Sequence, residues 1–325
     1  VHWLGVAGGI EAELVGKRGL PVTLLELGDT PPGDGESGTW SLTRLPKAVA
    51  ASARALLDLQ PRAVLGVGGY ASLVGLLAAG LVGIPCVLQE QNSTPGAANR
   101  FLAPWADLIC CGFVDAARTF SSLPAEWTGN PVRRDFFEVP EVELHGPPQL
   151  LVLGGRQRAL YLNRILPRAL AQLHHDGVTP KVRHQAGVRW AEVVRTSYQD
   201  INLEAQVHAF LAEPWQALDS ADLVVARSGA LTVSELAAAG RGAVLIPFAV
   251  EGSHQELNAR SLERAGGAIV IDESDATPRR IAQVLRQLLT NREGLAAMGQ
   301  NIRAMAVPDS ARRIAGRLLA VGGAA

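Results

Sequence analysis

Short runs of aliphatic residues alternate with longer stretches of helical periodicity along most of the chain. The short runs show no alternation of polar and apolar positions, which is typical of parallel strands buried on both faces. The pattern therefore predicts an α/β protein whose doubly wound parallel sheets carry helices on each side. Predicted strands span residues 22–25, 63–67, 86–88, 108–111, 150–153, 182–184, 207–210, 223–226, 244–247 and 268–271. Predicted helices include 45–59, 72–82, 161–174, 231–239, 253–265 and 278–289.

This rhythm breaks once, at residues 138–148 (EVPEVELHGPP). Prolines, a glycine and alternating acids are typical of a linker. We therefore predict a first Rossmann-like domain over residues 1–140 and a second over 141–307, with a last helix at 308–322 that returns to the first. Two such domains would face a cleft at the carboxyl ends of their strands, where ligands bind.

Length and composition support this division. The chain has 325 residues, 48% of them hydrophobic, which is enough for two cores. Its 30 basic and 31 acidic residues nearly cancel, so the chain lacks the excess of positive charge that is typical of nucleic-acid-binding proteins. The cysteines Cys86, Cys110 and Cys111 have no metal-ligand spacing and suit a reducing cytosol.

One uncharged stretch, residues 63–89, is long enough for a membrane span. Gly68-Gly69 and the Gly83–Pro85 turn interrupt it, whereas a spanning helix must be continuous. We therefore predict a strand, a helix and a second strand here.

Two strand-to-helix turns are candidate anion sites. Gly154-Gly155 follows the predicted strand 150–153, and Ser228-Gly229-Ala230 follows 223–226. Small residues at a helix start let backbone N–H groups and the positive helix end approach a phosphate. A tight turn without a ligand explains the first equally well. After the second turn, Glu235 either accepts hydrogen bonds from ribose hydroxyls or is a solvated acid near a helix N-terminus.

Three further polar positions lie next to predicted strand ends or the linker. Arg133 is a candidate phosphate clamp, with a surface salt bridge as the alternative. Glu90, within Gln89–Asn92, is the candidate general base of the first domain, and His254-Gln255 could bond sugar hydroxyls. Helix capping is the alternative for both of these clusters.

If the ligand of these phosphate sites is a nucleoside diphosphate that leaves during a reaction, positive groups must stabilise its negative charge. No Asp-x-Asp pair occurs, so we expect no metal and expect helix ends and Arg133 to hold this charge. No Gly-x-Ser-x-Gly occurs either, which disfavours acyl chemistry.

Several segments together resemble the MurG family. They are GVGGYASLVGLLAAGLVGIPCVLQEQNSTPGAANR, TGNPVRRDFF, LVLGGRQRALYLNR, RSGALTVSELAAAG and HQELNA, in the family's order. The resemblance implies a GT-B fold and an inverting, metal-independent transfer of N-acetylglucosamine. The donor would be UDP-N-acetylglucosamine. The acceptor would be the C4 hydroxyl of undecaprenyl-pyrophosphoryl-N-acetylmuramoyl-pentapeptide, a peptidoglycan precursor on the cytoplasmic face of the cell membrane.

The resemblance also assigns roles by position. It places Glu90 as the catalytic base, Arg133 on the donor phosphate and Glu235 on the ribose. It places Phe210 and Leu211 around the uracil. Donor or sugar contacts fall to Asn92, Arg156, Gln157, Ser228, Ala230, Leu231, Thr232, Val233, Ser234, His254 and Gln255.

Some residues depart from the family pattern. Arg156 and Arg158 replace small residues in the glycine turn, and they could add phosphate affinity or block the pocket. Gln89 stands where the family usually has histidine, and one βα unit of the family is expected before Val1. A non-catalytic UDP-sugar-binding relative is therefore an alternative. A UDP-N-acetylglucosamine epimerase is a less favoured one, because its extra acids and histidine find no match.

We expect any membrane contact to be peripheral. The helix 72–82 and the neighbouring residues Arg100, Phe101, Leu102 and Trp105 could dock on lipid. A buried helix is the alternative for 72–82, because helices that cover parallel sheets are also apolar.

Overall fold

The computed structural model describes residues 1–7, 11–25, 45–142, 146–154, 160–248 and 254–323. Within these ranges every strand pair is parallel and helices connect the strands, which confirms the predicted α/β class. The chain forms two compact units. The first contains residues 1–91, 95–129 and 311–325, and the second contains 92–94 and 130–310.

The first unit contains a two-stranded sheet, β1-β2, and a four-stranded sheet in the order β3-β4-β5-β6. Its early elements are β1 (Trp3–Val6), α1 (Glu11–Gly16), β2 (Val22–Leu25), α2 (Leu45–Leu59), β3 (Val64–Gly66) and α3 (Gly69–Leu81). Its later elements are β4 (Cys86–Glu90), α4 (Ala97–Leu102), a 3-10 turn (Ala103–Trp105), β5 (Leu108–Cys111), α5 (Val114–Thr119) and β6 (Ala125–Trp127).

Both faces of the four-stranded sheet are covered, as its unbroken aliphatic strands predict. Leu88 and Ile109 face one side, where they pack with α3 and α4. Val87 and Cys110 face the other side and pack against Ile314 of the last helix, α13 (Ser310–Val321). The end of the chain thus completes the core of the first unit, as predicted for the last helix.

The second unit is built on one six-stranded sheet, ordered β12-β11-β10-β7-β8-β9. Its strands are β7 (Gln149–Leu153), β8 (Lys181–Gln185), β9 (Ala205–His208), β10 (Leu223–Ala226), β11 (Ala243–Leu245) and β12 (Ala268–Val270). Its helices are a 3-10 turn (Arg134–Phe136), α6 (Leu160–His175), α7 (Ala191–Gln199), α8 (Pro214–Asp219), α9 (Ala230–Ala239), α10 (Gln255–Arg264), α11 (Pro278–Thr290) and α12 (Arg292–Arg303).

A buried arginine ties the start of the predicted linker to the second unit. Arg241 is 1% exposed, and its guanidinium donates to the carbonyl oxygens of Pro140, Leu218, Asp219 and Ala239 at 2.7–3.1 Å. Residues 130–140 cluster with the second unit, so the segment of the first unit that precedes the linker ends at residue 129, whereas the sequence pattern places this boundary at residue 140.

A second buried polar group lies beneath the sheet. The fully buried His184 ring contacts the Tyr198 hydroxyl at 2.9 Å and the Asn163 side-chain oxygen at 3.1 Å. Burial lowers the pKa of His184 to about 3, so the ring is neutral at physiological pH. Asn163 in turn donates to the carbonyl oxygen of Ala186, which fixes the backbone just after β8.

Most predicted elements lie within a few residues of the observed ones. The strand predicted at 207–210 ends at His208, so Phe210 lies in the loop that follows β9. The helix predicted at 72–82 starts at Gly69, and its residues Val74, Leu76 and Ala78 are buried. Among the described residues, no helix combines the length and apolarity that crossing a bilayer requires. The predicted start of α10 at Ser253 lies outside the described ranges.

Candidate functional site

The order of strands identifies a topological switch point in the second unit. The chain runs from β7 outward through β8 and β9, and then returns to place β10 on the other side of β7. The connections that follow β7 and β10 therefore leave in opposite directions, and such a switch point is where open α/β sheets bind ligands. Gly154 follows β7 at this point, whereas Gly155, Arg156, Gln157 and Arg158 lie outside the described residues.

The helix that follows β10 has a glycine at its N-cap and no side-chain cap among the described residues. Gly229 precedes α9 in an extended conformation, and no described side chain caps this end. The N–H groups of the first turn, which carry the positive end of the helix dipole, thus remain available to an anion. Ala230 and Val233 are buried, whereas Leu231 is 48% exposed, so this turn presents mainly backbone and the Leu231 and Thr232 side chains.

Ser228 shapes this turn from the inside. It is fully buried, and its hydroxyl donates to the carbonyl oxygen of Gln255 at 2.8 Å. We predicted a ligand contact for this residue, but its hydroxyl already has a structural partner.

The neighbouring Arg227 supports the turn rather than a ligand. Its guanidinium donates to the carbonyl oxygens of Ile246 and Pro247 and forms an ion pair with Glu273 at 2.5 Å. The ring of Tyr161 lies 5.3 Å from the Arg227 guanidinium carbon. These contacts connect the carboxyl ends of β10 and β11 to the start of α6.

Asn258 forms hydrogen bonds to two of the predicted site residues, Asn92 and Ser228. It is fully buried on α10, and its amide nitrogen donates to Asn92 at 3.3 Å and to the Ser228 carbonyl oxygen at 3.2 Å. Its side-chain oxygen accepts from the Ser93 N–H at 2.8 Å. Asn92 therefore lies beside the turn that precedes α9.

The residues predicted to contact the sugar and the base follow two different strands of the sheet. Gln255 opens α10, and its side-chain oxygen accepts from the Phe248 N–H at 3.1 Å. His254 precedes it and is partly exposed. Phe210 is 58% exposed after β9, next to the partly exposed Leu211. An exposed aromatic ring at a strand end can stack on a planar ligand.

Arg133 is held by aromatic rings. Its guanidinium carbon lies 4.5 Å from the centroid of the Trp215 ring and 5.2 Å from that of Phe136. Phe136 is fully buried and meets Trp215 edge-on at 5.8 Å. The residue is exposed, and no described carboxylate forms a salt bridge with it, so the surface salt bridge that the sequence left open is not the arrangement seen.

The Glu235 carboxyl is partly buried one turn into α9. Burial raises its pKa to about 7, and the nearby charge of Arg133 opposes this shift. On the same helix, the Ser234 hydroxyl accepts from the Asn130 amide at 3.0 Å. The site therefore combines a fixed cation, a helix N-terminus and a carboxyl group that titrates near neutral pH.

Glu90, in the first unit, has a different environment. It is 1% exposed, and its carboxylate accepts from the Gly96 N–H at 3.0 Å and from the Asn99 amide at 2.7 Å. These contacts tie the start of α4 to the end of β4, which is the capping role that the sequence left open. Its role as a general base stays a prediction.

Sequence reasoning missed Asn258, Trp215 and Asn130. Asn258 lies inside the HQELNA segment, so its position in that segment was a usable signal. Trp215 and Asn130 contact residues far away in sequence, and no local pattern marks such pairs.

Family models match both units. Residues 1–110 match the model of the glycosyltransferase family 28 N-terminal domain, and residues 149–314 match that of its C-terminal domain. Together with the parallel sheets and the reversal of strand order at β7 and β10, these matches define a glycosyltransferase of the GT-B fold.

Similar proteins narrow the class further. The chain is 41% identical over 323 residues to the UDP-N-acetylglucosamine--N-acetylmuramyl-(pentapeptide) pyrophosphoryl-undecaprenol N-acetylglucosamine transferase of Stutzerimonas stutzeri (strain A1501), covering 97% of this chain and 88% of the relative. It is 42% identical, with the same coverage, to the enzyme of that name from Ectopseudomonas mendocina (strain ymp). The crystal structure of Acinetobacter baumannii MurG matches with a TM-score of 0.81 at 31% identity, covering 98% of this chain and 91% of that one. The chain belongs to the MurG family, as its sequence segments predict.

Proposed function

We propose that this protein transfers N-acetylglucosamine from UDP-N-acetylglucosamine to the C4 hydroxyl of undecaprenyl-pyrophosphoryl-N-acetylmuramoyl-pentapeptide, with inversion at the anomeric carbon. The single observation that carries this proposal is the pairing of 41–42% identity to transferases of that name with an anion-ready helix end and Arg133 in the second unit. The product would be the complete disaccharide precursor of peptidoglycan.

The leaving group is a nucleoside diphosphate, and its departure places negative charge on the terminal phosphate. The N–H groups at the start of α9 and the Arg133 guanidinium are the positive groups that would meet this charge. Preorganised donors of this kind stabilise developing charge without reorganisation. In this assignment Glu235 accepts from the ribose hydroxyls, and Phe210 and Leu211 hold the uracil.

The remaining polar groups would orient the sugar. Gln255, His254 and Asn92 surround the Ser228–Gly229 turn, where the hexose would follow the diphosphate. The acceptor hydroxyl must lose a proton during the displacement, and Glu90 is the residue that the family resemblance offers. Because its carboxylate is buried and bonded to Gly96 and Asn99, a positioning role for the loop after β4 explains its contacts more directly.

Calorimetric titration with UDP-N-acetylglucosamine in excess chelator tests this proposal. We expect binding without divalent cation, and an increase in Kd of at least about tenfold for Arg133→Ala, since a charge-assisted phosphate contact contributes about 1.5–3 kcal/mol. Arg279→Ala, which removes an exposed arginine from α11, is the control and should bind as the wild type does.

A transfer assay with the lipid-linked acceptor then separates the alternatives. Formation of the disaccharide product supports the transferase. Donor binding without transfer would favour a non-catalytic relative, and conversion of the donor sugar without acceptor would favour an epimerase.

We also propose that the first unit docks on the cytoplasmic face of the cell membrane. Phe101 and Trp105 are 53% and 57% exposed, their ring centroids lie 5.0 Å apart, and Arg100 precedes them. Leu81 at the end of α3 is 76% exposed. Apolar side chains beside a basic one suit an anionic lipid surface. Leu102, which we also predicted at this surface, is buried instead.

Replacing both Phe101 and Trp105 by serine should weaken the affinity for phosphatidylglycerol vesicles, measured by sedimentation, by tenfold or more. The reason is that burial of each ring in the bilayer interface would contribute roughly 1.5 kcal/mol or more to binding. Val193→Ser removes a hydrophobic side chain that is 57% exposed on α7, and it should leave sedimentation unchanged. Equal sedimentation of the double variant and the wild type would contradict the assignment.

A further inference from the structure

The aromatic support of Arg133 distinguishes it from an ordinary surface arginine. Trp215 stands at the start of α8, just after the segment that carries Phe210 and Leu211. Phe136 stands in the 3-10 turn that directly follows Arg133. The two rings meet edge-on, and the guanidinium carbon lies within 5.2 Å of both centroids. These are distances at which a ring face attracts a cation.

Among the described residues, no side chain or backbone group forms a hydrogen bond or an ion pair with the Arg133 guanidinium. A stacked guanidinium keeps its N–H groups in its own plane, where they can form paired bonds to a phosphate. A carboxylate partner in the same place would occupy that edge and cancel the charge. Two rings restrict the rotamers of the long side chain and keep both the charge and the donors available.

We propose that Trp215 is a positioning residue for the donor diphosphate and acts by holding the Arg133 guanidinium. Phe136 is its buried support. This inference rests on the proposed function of the site. It adds an element of specificity for the phosphates alone, because the Trp215 ring orients the Arg133 cation and forms no contact with the nucleoside in this proposal.

The phosphate-specific role is tested by calorimetric titration of UDP and of uridine, without metal, on the wild type, Trp215→Leu and Trp215→Phe. Trp215→Leu should weaken UDP about three- to tenfold, which is the range of a cation–π contact, and leave uridine unchanged. Trp215→Phe keeps a ring face and should restore most of the UDP affinity. An equal loss for UDP and uridine would show that Trp215 only shapes the nucleoside pocket, and would overturn the proposal.

A double-mutant cycle tests whether the effect passes through Arg133. In an Arg133→Ala background, Trp215→Leu should change UDP affinity by less than about twofold. The same three- to tenfold loss in both backgrounds would contradict the proposal. Trp190→Leu removes another ring that lies near an arginine, Arg189 at 5.4 Å, and should leave UDP binding unchanged.

The outcomes also separate this proposal from the one on which it rests. Failure of the wild type to bind UDP overturns the proposed function, and this inference with it. If the wild type binds UDP and Trp215→Leu binds it equally well, only the role of Trp215 is overturned.

Discussion

Replacing Glu235 by glutamine is expected to make the unliganded protein more stable above pH 7 and to weaken its affinity for UDP-N-acetylglucosamine. The stability effect follows from the raised pKa. The carboxyl titrates at 4.5 in the unfolded chain and at about 7 in the folded protein. Between these values the folded state binds more protons than the unfolded state, so stability falls as pH rises from 4.5 to 7.

Above pH 7 the full penalty is present, up to about 3 kcal/mol for a shift of this size. Glu235→Gln removes it, so its melting temperature at pH 8 should exceed that of the wild type by roughly 6–10 °C and match it near pH 4.5. Glu204→Gln, at an exposed acid before β9, should leave both values unchanged. A constant difference between Glu235→Gln and the wild type at every pH would contradict the raised pKa.

Although Glu235→Gln should stabilise the protein, it should weaken the binding of UDP-N-acetylglucosamine. If the ionised carboxylate accepts from the ribose, wild-type affinity should fall about tenfold as pH decreases from 8 to 6, because protonation removes the acceptor. Glu235→Gln should bind more weakly at pH 8 and show little dependence on pH. UDP-N-acetylglucosamine is the right probe, because both its phosphates are esterified and stay ionised over this range. A pH-dependent wild-type affinity that Glu235→Gln retains would assign the titration to another group.

Replacing Arg241 by methionine should unfold the second unit at much lower temperature. Arg241 is among the largest fully buried side chains of the described residues, and its N–H groups donate to four backbone carbonyl oxygens. Burial lowers its pKa to about 10, so it is still protonated at pH 7. Methionine fills a similar volume but removes these four hydrogen bonds. Arg303 still donates to the Pro140 and Ala239 carbonyl oxygens, and the Ala221 N–H to that of Leu218. We expect a cost of about 3–5 kcal/mol, since a buried hydrogen bond that loses its donor costs about 1–3 kcal/mol.

That cost corresponds to a decrease in melting temperature of roughly 10 °C for a unit of this size. The melting temperature of Arg241→Lys should lie between those of the wild type and Arg241→Met, since an ammonium group cannot reach all four acceptors. Arg279→Met, on the exposed face of α11, should change stability by less than about 0.5 kcal/mol. A decrease equal to that of Arg279→Met would contradict this role for Arg241, and would mean that water or the remaining donors satisfy these carbonyl oxygens.

The sequence predicted the sheets well because buried parallel strands are continuous aliphatic runs, a local property. It failed where the signal was not local. β6 (Ala125–Trp127) is short and contains Glu126 and Trp127 at an edge of its sheet, so no aliphatic run marks it. The start of the predicted linker belongs to the second unit because Arg241, distant in sequence, binds the carbonyl oxygen of Pro140.

The candidate site divides in the same way. The turn at Ser228–Gly229 was predictable, because a strand, small residues and a helix follow one another directly. The Ser228 hydroxyl donates to the Gln255 carbonyl oxygen, a contact that only the folded chain creates, and the donor contact predicted for Ser228 stays a prediction. Asn258 and Trp215 contribute through contacts with Ser93 and Arg133, and their own sequence neighbours give no hint of them.

The return of α13 to the first unit has a consequence for biosynthesis. Ile314 and Leu318 cover the face of the sheet formed by Val87 and Cys110, yet the ribosome makes them after the whole second unit. Until then, Val87 and Cys110 lack the contacts with α13 that bury this face in the described part of the first unit. We therefore expect the second unit to be able to fold while the first is still incomplete, and the first-made sheet to be the part of the newborn protein that most needs chaperone protection.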